Sequence, residues 1–272
     1  MAGTTFASKA TRGGSAQSSC AQGPTGGDRV LDANHLQELI NLEDGYWWHV
    51  GKRRWAAQLL QRFVPAPGVL IEGGIGSGRN LLEFRRLGYD VAGLEIMPES
   101  VAHARQEGLP NVHLHDLAEP WPIPAGAARA VVMLDVLEHI ADPIAALRHA
   151  VAALQHDGGL VLTVPACPWL YSDWDRQLGH HRRYTRRELL RQTAAAGLAP
   201  AWVGCWNVFT LPAAVVSRRL IPRRSDGRGA EFPRLPAALN RMLLSCAWLE
   251  QAVSRWFRIP VGLSLAGVFV KQ

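Results

Sequence analysis

Cysteine is scarce in this chain of 272 residues, which holds four: Cys20, Cys167, Cys205 and Cys246. They lie far apart, and they form neither the C-x-x-C pair of a zinc knuckle nor the dense spacing of a disulfide framework. The sequence therefore predicts no metal site and no structural disulfides. We expect reduced thiols, which are typical of proteins that stay in the cytoplasm.

Long apolar runs are missing as well. The longest mostly apolar stretch, residues 202–216, has about 15 residues with Asn207 and Pro212 inside it, whereas a transmembrane helix needs roughly 20 apolar residues. Residues 1–28 are small and polar and lack the apolar core of a secretory signal. They cannot offset the entropy lost on ordering, so we predict a disordered tail, and no membrane-spanning segment is expected.

Lysine is the third scarcity. It occurs at positions 9, 52 and 271, so arginine supplies most of the 29 basic residues, which outnumber the 23 acidic residues and give a net charge of +6. Arginine binds phosphate and carboxylate through paired hydrogen bonds. The charge admits nucleic acid, anionic lipid or an acidic substrate as a partner, but compositional drift explains it equally well.

What the chain has in abundance is an alternation of short apolar runs with amphipathic stretches. This rhythm is typical of a parallel α/β sheet, and apolar runs without polar alternation, such as residues 131–134, are typical of strands that helices cover on both faces. We predict strands at 69–72, 89–95, 112–115, 130–135, 159–164, 201–206 and 265–270, and helices at 79–87, 98–107, 143–154 and 186–196.

Further regions flank a predicted core at residues 67–207. Apolar residues at helical spacing within 29–66 predict two helices joined around Gly45, which would form an N-terminal lid. We interpret residues 208–260 as a helical insertion, with helices at 211–220 and 235–256, before the last strand in 261–272. The second helix is expected to pack on the protein through a face made of Leu239, Met242, Leu243, Cys246, Leu249 and Val253.

The strongest local signal is V-L-I-E-G-G-I-G-S-G at residues 69–78, a buried strand followed by a glycine turn and a helix. Glycines let a ligand approach the backbone closely. The spacing of Gly74, Gly76 and Gly78 differs from the G-x-G-x-x-G of NAD-binding proteins. Glu72 would repel a pyrophosphate and attract a ligand that carries an ammonium and a sulfonium. The combination favours S-adenosylmethionine over NAD.

Acidic residues stand at the ends of four predicted strands: Glu72, Glu95, Asp116 and Asp135. Open α/β sheets bind ligands at the carboxyl edge, where a carboxylate after the second strand can accept hydrogen bonds from both ribose hydroxyls. A single acid of this kind is more often a solvated loop residue. The coincidence in four strands favours a ligand site.

In this order the motifs resemble those of class I S-adenosylmethionine-dependent methyltransferases, and D-V-L-E-H-I-A-D-P at residues 135–143 is similar to the L-E-H-x-x-D-P of the ubiquinone-biosynthesis type. The resemblance implies a Rossmann-like α/β fold, a seven-stranded mostly parallel sheet with helices on both faces, and S-adenosylmethionine as cofactor. It implies that Glu72, Gly74, Gly76 and Gly78 bind the methionine part of the cofactor and that Glu95 with Ile96 binds its ribose. Asp116 with Leu117 would bind the adenine, and Asp135 with Val136 would lie near the sulfonium. The chain departs from the pattern at Glu72, usually an aspartate, and at Arg129, where an aspartate often stands.

Residues 165–184 resemble a loop of an uncharacterised bacterial subgroup of these enzymes, which implies a position over the transferred methyl group. His180, His181 and Tyr184 are the candidate catalytic residues, because histidine titrates near neutral pH and can accept a hydroxyl proton. Alternatively, the aromatic residues of this loop only pack it down, and its arginines pair with Asp173 and Asp175.

The segments Tyr46–Trp48 and Lys52–Arg54 precede the sheet and resemble N-terminal lids of the same superfamily. The resemblance implies closure over the cofactor, with an arginine near the cofactor's carboxylate. An equally good interpretation is that Trp48 and Trp55 anchor a helix on the sheet, since tryptophan buries a large apolar area.

These motifs predict an enzyme that methylates a small or lipid-linked molecule, at oxygen in preference to nitrogen or carbon. One alternative is nucleic-acid methylation, although no nucleic-acid motif is present. Another is a non-catalytic protein at the inner face of the membrane, anchored through residues 202–224, although Pro212 favours a substrate cap there. An NAD dehydrogenase is disfavoured by the glycine spacing.

Overall fold

A computed structural model describes residues 33–220 and 233–272, in which seven strands form one sheet of order β3-β2-β1-β4-β5-β7-β6. The strands are β1 (Gly68–Gly73), β2 (Tyr89–Glu95), β3 (Val112–Leu114), β4 (Ala128–Leu134), β5 (Leu154–Pro165), β6 (Leu198–Trp206) and β7 (Ser264–Lys271). The pairs from β3 to β5 are parallel, whereas β7 runs antiparallel to both β5 and β6. The predicted seven-stranded, mostly parallel sheet is confirmed. The predicted tail, residues 1–28, lies outside the described residues.

The helices of the described part flank this sheet. They are α1 (Ala33–Glu43), α2 (Trp47–Phe63), α3 (Arg79–Arg86), α4 (Pro98–Gln106), α5 (Pro143–Ala153), α6 (Asp173–Gln177), α7 (Arg186–Ala195), α8 (Leu211–Val215) and α9 (Ala237–Val253). Within residues 33–220 and 233–272, none of the helices combines the length and the apolar character needed to cross a bilayer.

Most bounds lie within three residues of the predicted ones, and two places differ more. Strand β5 begins at Leu154, five residues early, because Leu154 pairs with Ala128 ahead of a shift in register. The polar residues between Leu154 and the apolar run concealed this extension from the hydrophobic pattern. The helix predicted at 211–220 is split into α8 and a π-helical turn over Val216–Leu220.

Both faces of the sheet are buried, as the unbroken apolar runs predict. Neighbouring residues of one strand point to opposite faces, so Val131 belongs to the hydrophobic cluster beneath α5 and α7, and Val132 to the cluster beneath α2, α3 and α4. The rigid sheet holds the carboxyl ends of its parallel strands in fixed positions at one edge.

The two predicted N-terminal helices are confirmed, and they turn at Asp44 and Gly45. Helix α2 anchors this region on the sheet. Trp55 is 3% exposed, and its ring lies 5.7 Å from that of Trp202 and 6.4 Å from that of Trp206. Large aromatic side chains contribute most of the apolar area buried in such a contact, so α2 is well fixed above the sheet.

The expected packing of α9 through its apolar face is wrong. Helix α9 contacts α2 through small and polar residues, and Gln251 Nε2 donates a hydrogen bond of 2.8 Å to the Gly51 carbonyl. Met242, Leu249 and Val253, which were expected to be buried, are exposed to 55%, 67% and 42%. Interhelical hydrogen bonds and the small Ala247 at the contact determine the orientation of the helix, which hydrophobic periodicity does not capture.

Candidate functional site

A cavity of about 1230 Å³ opens at the carboxyl edge of the sheet. The ends of β1, β2 and β4 form its floor, and α1, α2, the loop after β5 and the α8 segment form its walls. The predicted site residues that line it are Gly74, Gly76, Glu95, Ile96, Asp116, Leu117, Asp135, Val136, His180 and His181, whereas Glu72, Gly78 and Tyr184 do not.

The glycine turn at the end of β1 requires glycine at each of its predicted positions. Gly74, Gly76 and Gly78 have φ angles of 73°, 57° and 86°, in the left-handed region that side chains disfavour. A Cβ atom on Gly74 would lie 2.6 Å from Val136 Cγ2. The turn therefore brings bare backbone to the cavity between β1 and β4.

Glu72 lies behind the cavity wall. Its side chain is fully buried, and Oε1 accepts a hydrogen bond of 2.8 Å from Asn80 Nδ2, a residue that does line the cavity. Burial raises the pKa of Glu72 to about 8, against the opposing effect of the Asn80 bond. A cationic ligand in front of Asn80 would favour the ionised carboxylate.

Glu95 reaches back from the end of β2 to the glycine turn. Its Oε2 accepts from the Gly76 amide at 3.1 Å and its Oε1 from the Met97 amide at 3.0 Å. Burial raises the pKa of Glu95 although these amides favour the charged form. At the cavity mouth, exposed Ile96 and Asp116 stand near buried Leu117. A carboxylate beside an apolar slot suits a ribose with a flat base.

Asp135 forms an ion pair with Lys52, which the sequence did not predict. Lys52 Nζ lies 2.9 Å from Asp135 Oδ2, and Thr163 Oγ1 donates to Oδ1 at 2.8 Å. Burial would raise the pKa of Asp135, but the Lys52 charge and these two hydrogen bonds hold it below its ordinary value. Asp135 has a φ of 57°, and such strained residues cluster at functional sites. Helix α2 and the end of β4 therefore meet at this carboxylate.

The loop after β5 is organised around Asp175, whose side chain is fully buried. Arg183 Nε and Arg218 Nη1 lie 2.7 Å and 3.0 Å from its oxygens, and His180 Nδ1 lies 3.3 Å away. Burial alone would raise the pKa of Asp175, but the His180 hydrogen bond and the two arginines lower it to about 2. The alternative that an arginine of this loop pairs with Asp175 is confirmed, and the same network orients His180.

The other two predicted catalytic residues occupy different environments. His181 is exposed and lines the cavity, and its backbone amide donates to the Glu138 carbonyl at 2.8 Å. Tyr184 is 1% exposed, and its hydroxyl donates to the Leu137 carbonyl at 3.3 Å in the core. The structure brings the histidines to the cavity and leaves Tyr184 outside it.

Sequence reasoning gave Glu138 no role, yet it lines the cavity. It is fully buried, neither carboxylate oxygen has a hydrogen-bond partner within the described residues, and its neighbours include His139 and His180. Burial and the Asp135 charge raise its pKa well above the ordinary value. The L-E-H motif was the available signal, but nothing in it shows that the glutamate turns inward.

Comparison with known proteins gives a consistent result. A family model described as a methyltransferase domain matches residues 47–201, more than half of the chain. Ubiquinone biosynthesis O-methyltransferase of Xanthomonas axonopodis pv. citri is 31% identical over 110 residues, which are 38% of this chain and 45% of that protein. The chain thus spans about half the length of the curated relatives it matches.

Solved structures share the fold. A SAM-dependent methyltransferase from Thermotoga maritima superposes with a TM-score of 0.58 at 15% identity, over 88% of this chain and 96% of that one. Geranyl diphosphate methyltransferase in complex with SAM superposes with a TM-score of 0.56 at 17% identity, over 89% and 92% of the two chains.

Proposed function

Because the chain belongs to the methyltransferase domain family of class I S-adenosylmethionine-dependent methyltransferases, we propose that it transfers the methyl group to an oxygen atom of a small or lipid-linked acceptor. The observation that carries the proposal is the cavity itself. It joins a glycine turn, three of the four strand-end acids and two histidines at one edge of the sheet.

The cofactor is proposed to lie along the strand ends. Glu95 and Ile96 would contact the ribose, Asp116 and Leu117 the adenine, and Gly74 and Gly76 the methionine part. Glu72 acts from behind the wall, because its charge reaches the ligand's ammonium through Asn80. Gly78 supports the turn without touching the ligand. Asp135 and Val136 flank the sulfonium.

The chemical step is an in-line displacement that needs little beyond positioning. The acceptor hydroxyl loses its proton, its oxygen forms a bond to the methyl carbon, and the carbon–sulfur bond breaks with its electron pair on sulfur. His180 is held by Asp175 at the cavity, beside the place proposed for the acceptor. His181 is exposed, so it can take the hydroxyl proton and pass it to water. We assign no catalytic role to buried Tyr184.

The lipid-linked form of the acceptor is supported by the outer face of α9. The exposed residues Met242, Leu249 and Val253 continue into Trp256, which is 84% exposed. Exposed arginines flank this face, while the acid of the same helix, Glu250, is buried. An apolar stripe with a basic flank is typical of a helix that lies on an anionic membrane. We therefore propose α9, rather than residues 202–224, as the peripheral contact.

The proposal is tested by transfer of a labelled methyl group from S-adenosylmethionine to a panel of phenols, amines and lipid-linked hydroxyl compounds. The expected product carries the label on oxygen. Glu95→Gln should abolish transfer, whereas Glu107→Gln, which alters an exposed acid outside the cavity, should not. Label on nitrogen would contradict the assigned atom, and equal transfer by both variants would contradict the assigned cofactor site.

A further inference from the structure

Three side chains with metal-binding atoms converge in the cavity wall beside Asp135. One ligand atom from each of Glu138, His139 and His180 lies within 4.8 Å of the others. Glu138 and His139 follow β4 directly, and His180 comes from the loop after β5, so the fold brings them together from separate elements. All three line the cavity.

Glu138 gives this cluster a buried carboxylate whose hydrogen-bonding capacity is unused within the described residues. Its side chain is 0% exposed, and neither carboxylate oxygen has a hydrogen-bond partner within the part of the chain that the structure describes. An unsatisfied buried polar group is strongly unfavourable, and a carboxyl group with two such oxygens doubly so. The neighbouring imidazole rings of His139 and His180 contact each other edge to face, with their centroids 4.7 Å apart.

His180 is oriented as a metal ligand would be. Its Nδ1 lies 3.3 Å from Asp175 Oδ1, which leaves Nε2 as the acceptor atom. A carboxylate on the far nitrogen of a metal-binding histidine fixes the tautomer and the direction of the ring. Asp175 is itself fixed by Arg183 and Arg218. The ligand and its support are therefore both in place.

We propose that Glu138, His139 and His180 bind a divalent first-row transition-metal ion such as Zn²⁺, Co²⁺ or Mn²⁺. Two imidazoles and one carboxylate suit these ions better than Mg²⁺ or Ca²⁺, which prefer oxygen ligands. A tetrahedral ion with bonds of about 2.1 Å needs ligand atoms about 3.4 Å apart, so binding would bring these atoms, which lie within 4.8 Å of one another, slightly closer together.

Three protein ligands leave at least one coordination position open, as catalytic rather than structural sites do. An oxygen of the methyl acceptor would have access to that position, because all three ligands line the cavity. A bound cation would lower the pKa of a hydroxyl that coordinates it. His181 would then take the proton of that hydroxyl. This role for the ion rests on the proposed function, whereas binding of the ion does not.

The test is a titration of the tag-free full chain with Co²⁺, without S-adenosylmethionine, followed by the visible absorption of the bound ion. We expect one equivalent to bind. Glu138→Gln and His180→Gln should each weaken binding by on the order of 100-fold, because each removes a ligand. The matched controls His113→Ala and Glu119→Gln, at exposed positions outside the cluster, should bind as the unchanged protein does.

Circular dichroism and urea unfolding of each variant separate loss of a ligand from loss of fold. Absence of Co²⁺ and Zn²⁺ binding, or binding by folded Glu138→Gln as tight as that of the unchanged chain, would overturn the proposal. Binding of S-adenosylmethionine is measured in parallel. If the chain binds Co²⁺ but not S-adenosylmethionine, the proposed function is contradicted and the metal site is not.

Discussion

Replacing Asp175 with asparagine removes the charge on which the loop after β5 is built. The side chain is fully buried and pairs with Arg183 at 2.7 Å and Arg218 at 3.0 Å. Removing one partner of a buried ion pair lowers the free energy of unfolding by about 3–5 kcal/mol. We expect the lower end of this range for Asp175, because both arginines also donate hydrogen bonds to backbone carbonyls and so keep a partner.

The pKa shift of Asp175 gives a similar value for this loss of stability. The pKa of Asp175 falls from 3.8 to about 2 in the folded chain, a shift that corresponds to about 2.5 kcal/mol. Because the folded pKa is the lower one, this stability is present above pH 4 and is lost as the pH falls toward 2. We therefore expect Asp175→Asn to lower the free energy of unfolding by about 3 kcal/mol at neutral pH.

Urea unfolding followed by circular dichroism measures this effect, with Asp173→Asn as the matched control. Asp173 lies on the same helix, is exposed and pairs with Arg176 at the surface, so its replacement should leave stability unchanged. The difference between the unchanged chain and Asp175→Asn should shrink between pH 5 and pH 3. Equal stability of the two variants, or a difference that grows at low pH, would show that the charge of Asp175 does not stabilise the loop.

Three further predictions concern the cavity and the surface. Gly74→Ala adds a Cβ 2.6 Å from Val136 Cγ2 and should weaken S-adenosylmethionine binding at least tenfold, as measured by calorimetry. The control Gly108→Ala should retain the affinity, because Gly108 also has a positive φ, of 82°, but has open space around it. Equal affinities of the two variants would contradict the role of the turn. His181→Ala should lower kcat by about 10²–10⁴-fold with the KM for S-adenosylmethionine unchanged, and an undiminished kcat would exclude it as the proton acceptor. Leu249→Asp should reduce co-sedimentation with anionic vesicles while transfer to a soluble acceptor persists; unchanged sedimentation would remove α9 as the membrane contact.

The fold could be predicted because its determinants are local. Apolar runs mark β1, β4 and β5, and the glycine turn and strand-end acids follow each strand within a few residues. Parallel strands place their carboxyl ends at one edge, so sequence order alone brings Glu95, Asp116 and Asp135 to the same cavity. The helix start at Thr185, with its reciprocal bonds to Glu188, is equally local.

The parts that sequence reasoning missed depend on contacts between distant segments. The Lys52–Asp135 pair joins residues 83 positions apart, and Arg218 reaches Asp175 across 43 positions. The direction of Glu138 and the outward apolar face of α9 likewise depend on packing partners elsewhere in the chain. Tyr184 was predicted as part of the loop of residues 165–184, but its ring packs in the core, where its hydroxyl donates to the Leu137 carbonyl.

Calorimetric titration of the purified chain with S-adenosylmethionine, and separately with NAD, shows whether the cavity is a site for S-adenosylmethionine. We expect micromolar binding of S-adenosylmethionine and no binding of NAD. Glu95→Gln should lose the binding of S-adenosylmethionine, and Glu107→Gln should retain it. Binding of NAD, or an unchanged affinity of Glu95→Gln for S-adenosylmethionine, would rule out the assigned site.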